Sequence, residues 1–345
     1  MTRNDTCPGA CEHQEDETEY YERVFDPMQT DRRARRKRKP VPRQLPKKPE
    51  EQIMEELADP IGLEGGFNTT YRPGQHEEQW LLSSLRSFYD QELITDVLAQ
   101  VKGGKEASVY RCAAHPTVGS PFLASKVYRP RMFRTLRNDA VYRQGRQILT
   151  AEGRPVKTTD HRIMRAIGKK TVFGVQVMHT SWLMHEYNTL ECLYHAGGAV
   201  PRPAAASENA ILMSYHGDAQ MAAPTLNTVR LDYGEAVLLF REVLRNVELM
   251  LQHDLIHGDL SAYNVLLWEN ELTIIDFPQA ANSCANTEAY RILKRDIERV
   301  CDYFEGQGVR CDPSAIVDDL WSRYPGVEGG DRAADLSALE ALSLE

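Results

Sequence analysis

Leu255-Ile256-His257-Gly258-Asp259-Leu260-Ser261-Ala262-Tyr263-Asn264-Val265-Leu266-Leu267 is followed almost at once by Ile274-Ile275-Asp276-Phe277-Pro278, and the reading of this stretch decides the fold. Two apolar runs of strand type, at 265–268 and 272–275, are joined by a polar link containing Asn270. Asp259 and Asn264 precede the first run and Asp276 ends the second, so two carboxylates and a carboxamide come to the same end of one predicted hairpin. Phosphoryl transfer from ATP needs that set: an Asp to orient the acceptor hydroxyl or take its proton, an Asn for one metal ion, and an Asp for the metal bridging the phosphates. Each residue alone would read as an ordinary polar cap on a strand. Their order, together with His257, is what carries the chemistry.

A second constellation should then lie upstream, and it does. Val101-Lys102-Gly103-Gly104-Lys105-Glu106-Ala107-Ser108-Val109-Tyr110 reads as a glycine-bearing turn between two strands, and Ala124-Ser125-Lys126-Val127-Tyr128 as a third strand. Glycines let a backbone approach phosphates without a Cβ in the way. The candidate nucleotide contacts are Gly103, Gly104, Lys105, Ser108, Val109 over the adenine, and Lys126 as a point charge on the α and β phosphates. The apolar strand at 210–215 should end in a hinge where backbone groups of Met213 and Tyr215 meet the adenine edge. Glu186 is the candidate partner for Lys126, on a helix whose Trp182, Leu183, Tyr187, Leu190 and Leu193 fall on one face.

These motifs resemble the RIO atypical protein kinases, in the branch with the least-decorated kinase core. The matching pieces are Gly104-Lys105-Glu106-Ala107-Ser108-Val109-Tyr110, His257-Gly258-Asp259-Leu260-Ser261-Ala262-Tyr263-Asn264 and Ile275-Asp276-Phe277-Pro278-Gln279, and the resemblance runs over 93–304. It implies an α+β, two-lobed protein-kinase-like fold with a β-rich N-lobe and a reduced, mostly helical C-lobe that lacks the peptide-docking segment. It also implies ATP and Mg2+ (or Mn2+) as cofactors, Asp259, Lys126 and Glu186 as catalytic residues, and Asn264 and Asp276 as metal ligands. His257 is expected to brace the catalytic loop. The acceptor would be a Ser or Thr hydroxyl on a protein substrate or on the chain itself. Water is a rival acceptor, and an ATPase cycle would then switch binding to a ribosomal precursor. An aminoglycoside- or choline-type small-molecule kinase and a non-catalytic RNA-binding assembly factor are further alternatives.

Departures from ordinary kinases have consequences. Gly258 stands where an Arg usually receives an activation-loop phosphate, so switching by such a phosphate is not expected. Ser261 replaces the lysine two residues after the catalytic Asp, which shifts charge neutralisation toward the metal and Lys126. No Ala-Pro-Glu signal follows Asp276; 280–287 leads directly into a helical pattern through Tyr290, Ile292, Leu293, Asp296, Ile297 and Val300.

The remaining chain divides as follows. Residues 1–74 should be a disordered arm, acidic and then strongly basic over 32–48. The basic run suits electrostatic contact with rRNA or a ribosomal precursor, without base-specific stacking because no aromatics interrupt it. Residues 75–215 read as a helix plus the N-lobe, with a basic insertion at 129–180 that the resemblance implies is a mobile loop near the nucleotide; a solvated helix is the alternative, favoured for 139–149. Residues 216–324 form the C-lobe, with an amphipathic helix at 234–251 whose Val237, Leu238, Phe240, Leu244, Val247 and Leu251 are assigned to the core, and a short helix at 313–321. Residues 325–345 read as a flexible tail.

At 345 residues and 42% hydrophobic content the chain can bury a sizeable core, and its net charge of −9 conceals the basic arm. No apolar run is long enough to cross a bilayer and no signal core follows Met1, so a cytoplasmic, membrane-free protein is expected. Seven scattered cysteines point to reduced thiols, and Cys7, Cys11 and His13 lack a second ligand pair at metal-finger spacing.

Overall fold

Five antiparallel strands build the first lobe, lying across the sheet in the sequence order first, second, third, fifth, fourth. The computed structural model describes residues 67, 69–104, 106–128, 141–142, 144–157 and 159–324. Lys105, the basic run at 32–48, the Cys7/Cys11/His13 cluster and the tail from 325 lie outside the described residues. The folded part starts earlier than the expected boundary at 75: Phe67 is buried against Tyr89, and Tyr71 donates its backbone N–H to Val97 O at 2.8 Å.

Helix α1 (Gln75–Asp90) lays Leu81, Leu85 and Phe88, at helical spacing, on one face of the sheet. Strand β1 (Ile94–Gly103) and β2 (Ala107–Ala114) follow, then β3 (Phe122–Tyr128). Alternation along β2 and β3 sends Tyr110, Cys112, Leu123 and Val127 up toward α1. It sends Lys126 and its directly opposed neighbour Val109 to the other face. Strands β4 (Pro203–Ala206) and β5 (Ala210–Ser214) complete the sheet.

The insertion between β3 and β4 departs from expectation. Helix α2 (His161–Gly168) was not foreseen, and the Glu186 helix, α3 (Val172–His195), begins nine residues before 181, so 172–180 belongs to that helix. Thr171 starts it by accepting the Gly174 amide at 3.1 Å. The helix expected over 139–149 does not form: of its described residues, Val141 and Tyr142 alone are helical. Gly145, at φ +80, turns the chain there, with Ala285 so close that a Cβ would sit 2.5 Å from it. Beyond the turn the backbone bonds α3 instead of itself: His185 Nε2 donates to Gln147 O at 2.6 Å, and Leu149 N to Ser181 Oγ at 2.9 Å.

The second lobe is built on α4 (Tyr233–Gln252), opened by a capping box between Asp232 and Glu235. Its buried stripe is Ala236, Phe240, Val243, Val247 and Met250, with Leu239, Leu244 and Leu251 beside it. Leu238 is 67% exposed, which corrects its assignment to the core, since 100° per residue carries it off that stripe. Strand β6 (Leu255–Ile256) then pairs with β9 (Ala281–Asn282), and β7 (Val265–Trp268) with β8 (Glu271–Ile274). Glu269 and Asn270, at φ +51 and +66, make the two-residue turn of that hairpin. Helices α5 (Ala289–Glu305) and α6 (Pro313–Arg323) close the lobe. Between β9 and α5 lie six residues, 283–288, too few for a docking segment. One continuous core joins the lower face of the sheet, α3, α4, α5 and α6. The chain therefore has the expected two-lobed α+β architecture.

Candidate active site

Lys126 is set by β3, Glu186 by α3, and Asp276 by the turn after β8. The three meet: Lys126 Nζ donates to Glu186 Oε1 at 2.6 Å and to Asp276 Oδ1 at 2.5 Å. Glu186 is 1% exposed and also accepts from the Tyr128 hydroxyl and from Phe277 N, the latter at 3.3 Å. Burial alone would lower the Lys126 pKa, but the charges of Asp276 and Glu186 outweigh it and hold the ammonium above its ordinary value. Burial likewise pushes Asp276 up, and Lys126 more than reverses that, leaving a carboxylate below its usual range. Asp276 sits at φ +74, a backbone conformation that costs a residue with a Cβ ~1 kcal/mol.

The loop bearing Asp259 hangs between β6 and β7. His257 Nε2 donates to Ile275 O at 3.1 Å, and its Nδ1 accepts from Asp259 N at 3.2 Å, which fixes the tautomer. Burial holds the His257 pKa below its ordinary value, so the ring is neutral at neutral pH. It ties the Asp259 loop to the Asp276 loop and packs on Phe277 with ring centroids 4.6 Å apart. Asn264 Nδ2 donates to Asp259 O at 2.9 Å, and Ile275 N to Asn264 O at 2.9 Å, which brings the amide side chain and the Asp276 turn together.

Among the described residues no three His, Cys, Asp or Glu side chains gather into a metal-binding cluster. The donors on hand are hard oxygens, from Asp276 and the Asn264 amide. Such a set suits Mg2+, which takes one or two protein oxygens and completes its shell with phosphates and water.

The glycine turn is as tight as its sequence suggests. Gly103 pairs with Ser108, and a Cβ on Gly104 would lie 2.7 Å from Ala107 O. Val109 and Lys126 share the inner face, with Met213 opposite Ala124 on that face. Ser108 does not join them: it pairs with Val127 and is buried on the face shared with Tyr110, so its hydroxyl points away from Lys126. Tyr215 follows the end of β5, and the Arg111 guanidinium lies 5.8 Å from its ring centroid.

Four residues that position the loops were not singled out from the sequence. Asp296 Oδ2 accepts Gly258 N at 2.7 Å, and Arg295 Nη2 donates to Gly258 O. Arg146 Nη2 donates to Pro278 O at 3.0 Å and Ala280 O at 2.5 Å. Arg299 Nη1 donates to Asp259 Oδ1 at 2.7 Å. Asp296 had left a signal: it is a carboxylate on the apolar stripe Ile292, Leu293, Ile297, Val300. The arginines left none, because their partners are remote backbone carbonyls and a remote carboxylate.

The RIO domain family matches residues 141–316, which include Glu186, Asp259, Asn264 and Asp276. The RIO-type serine/threonine-protein kinase Rio1 of Thermoplasma acidophilum is 32% identical over 135 residues, 39% of this chain and 69% of that protein. Its counterpart in Haloferax volcanii is 33% identical over 156 residues, 45% of this chain and 51% of that protein. The one in Methanocaldococcus jannaschii is 27% identical over 251 residues, 72% of this chain and 74% of that protein. The chain thus spans about half the length of the Haloferax volcanii relative.

Proposed function

The chain belongs to the RIO family, and we propose that it transfers the γ-phosphoryl group of ATP to a serine or threonine hydroxyl. The observation that carries this reading is Lys126 Nζ within hydrogen-bond reach of both Glu186 and Asp276, which joins three separate elements at one cation. In that place Lys126 binds the α and β phosphates, and Glu186 keeps it from swinging away. Asp259 orients the acceptor hydroxyl and takes its proton. The bond from the γ-phosphorus to the β–γ bridging oxygen breaks, and ADP leaves with that electron pair as the bond to the acceptor oxygen forms. Asn264 and Asp276 would hold Mg2+, which when bound neutralises charge on the phosphates. Gly103, Gly104 and Val109 line the nucleotide side, with backbone groups of Met213 and Tyr215 at the adenine.

Water as acceptor is a second reading, favoured by the six residues between β9 and α5, which leave no room for a peptide groove of the ordinary kind. The basic run at 32–48 suits a ribosomal RNA or precursor as the partner whose binding such a cycle would control. No helix among the described residues is long and apolar enough to cross a membrane, and a cytoplasmic site of action accords with this partner.

The test is incubation with γ-labelled ATP and Mg2+, following protein-bound label and free phosphate together. Both signals are expected to fall at least ~100-fold in Lys126→Ala and Asp276→Ala. The ratio of label to phosphate in the wild type separates kinase from ATPase. Equal signals in all three proteins would refute the assignment.

A further inference from the structure

Arg299 has no part in the mechanism above, yet it makes the one hydrogen bond to the Asp259 carboxylate among the described residues, at 2.7 Å. Both side chains are about two-fifths exposed, 42% and 41%. Water screens a pair as open as that, and it adds little to stability, so holding the fold together does not account for it. Its mounting is firm. The helix carrying Arg299 is fastened to the catalytic loop one turn earlier, where Asp296 and Arg295 grip the N–H and C=O of Gly258. A guanidinium has five donors in a rigid fork, and Asp259 takes one of them.

The loop itself has a gap in its chemistry. As phosphoryl transfer proceeds, negative charge spreads over the three equatorial oxygens of the moving group, and an ordinary kinase places a lysine two residues after the catalytic aspartate to meet it. Here that position is Ser261, a neutral side chain with no charge to offer.

We propose that Arg299 is a catalytic residue that supplies this missing positive charge to the transferring phosphoryl group. The proposal rests on the phosphotransferase reading. In the free protein Asp259 holds the guanidinium beside the reacting centre. When the acceptor hydroxyl arrives, Asp259 turns an oxygen to it and takes its proton, and the remaining Arg299 donors meet the oxygens of the γ-phosphoryl as its bond to ADP breaks. The cation comes from a helix forty residues downstream of the catalytic aspartate rather than from the loop.

Aluminium fluoride with ADP imitates the transferring group, so its effect on ADP affinity reports this contact without turnover. The proteins to compare are wild type, Arg299→Lys, Arg299→Gln and the double variant Arg299→Gln/Ser261→Lys, by titration calorimetry with ADP and Mg2+, with and without aluminium fluoride. ADP alone should bind all four within about twofold, which also shows that they fold. The gain in affinity on adding aluminium fluoride should drop ~100-fold in Arg299→Gln. It should be partly kept in Arg299→Lys, and at least ~10-fold should return in the double variant, whose lysine restores the ordinary arrangement. Single-turnover rates should follow the same order. An undiminished gain in Arg299→Gln would overturn the proposal, even if the Michaelis constant for an acidic peptide rose, which would assign Arg299 to substrate docking. A double variant as low as Arg299→Gln would equally reject the charge assignment. A wild type that gains nothing from aluminium fluoride and turns over no ATP would instead remove the phosphotransferase reading, and this proposal with it.

Discussion

Asp296, 2% exposed on α5, accepts the backbone amide of Gly258 at 2.7 Å, so the residue before Asp259 hangs from a buried carboxylate thirty-eight positions away. Burial raises the Asp296 pKa to about 7, against the pull of Arg295 beside it. The folded-state pKa lies above the ordinary 3.8, so this group's contribution to stability is full below about pH 4 and is lost as pH rises through about 7. His257 acts in the opposite direction. Its folded pKa lies below the ordinary 6.5, so its contribution is present above that pH and is lost on acidification. Chemical denaturation from pH 4 to 8 should show the two trends opposed. In Asp296→Asn, whose amide oxygen can still accept from Gly258, the fall in stability between pH 4 and 7 should disappear and the acid loss due to His257 should stand alone.

Gly258 is at φ +84, and a Cβ there would run into Gln279 O. Gly258→Ala should cost about 2 kcal/mol or more, the left-handed backbone and the collision adding together. Because the collision pushes the Asp259 loop away from the Asp276 loop, phosphoryl transfer should fall further than the folded fraction does. Urea unfolding beside single-turnover rates measures both, and a stable variant with full activity would contradict the tight approach.

Removing Lys126 leaves the buried Glu186 without its cation. Lys126→Met should therefore lose roughly 3 kcal/mol, the penalty for stranding one partner of a buried pair. The double variant Lys126→Met/Glu186→Leu should recover part of that stability but none of the activity. Thermal melts of both variants check this, and a Lys126→Met protein as stable as wild type would show that the pair is dispensable to the fold.

Arg146 clamps the backbone carbonyls of Pro278 and Ala280, just beyond Asp276. Arg146→Ala should lower the turnover rate ~10-fold through looser placement of Asp276, while ADP binding in the absence of Mg2+ stays within about threefold. An unchanged turnover rate would show that this clamp serves the fold alone.

Ten Lys and Arg residues lie between 32 and 48. Binding of single-stranded RNA should weaken with salt at a log–log slope approaching about −7 if all ten neutralise phosphates, at 0.7 for each. Deleting 32–48 should abolish most of that slope, and the order of affinity among unrelated sequences should hardly change. A salt-independent or strongly sequence-selective interaction would contradict electrostatic contact by this run.

Lys126, Glu186, Asp259, Asn264 and Asp276 could be singled out because each belongs to a short motif with a chemical reason for its spacing, and the structure brings Lys126, Glu186 and Asp276 together. The helix expected over 139–149 failed where the rule was purely local. Its apolar and charged residues suit a helix, but Gly145 turns at Ala285 and the following backbone bonds α3. Leu238 looked like core because a leucine beside a stripe cannot be told from one on it until the neighbouring elements fix the helix rotation.

Sequence alone determined the two lobes and the strand pairing through the glycine turn, and pointed to residue types suited to phosphate and metal. These follow from periods of two and 3.6 and from motifs a few residues long, whose information is local. Tertiary structure alone decided what holds those motifs in register. Gly258 hangs from Asp296, the Asp276 turn is clasped by Arg146, Ser108 faces away from Lys126, and Arg299 meets Asp259. Each of these depends on which way a side chain points once distant elements have packed, and no spacing along the chain encodes that direction.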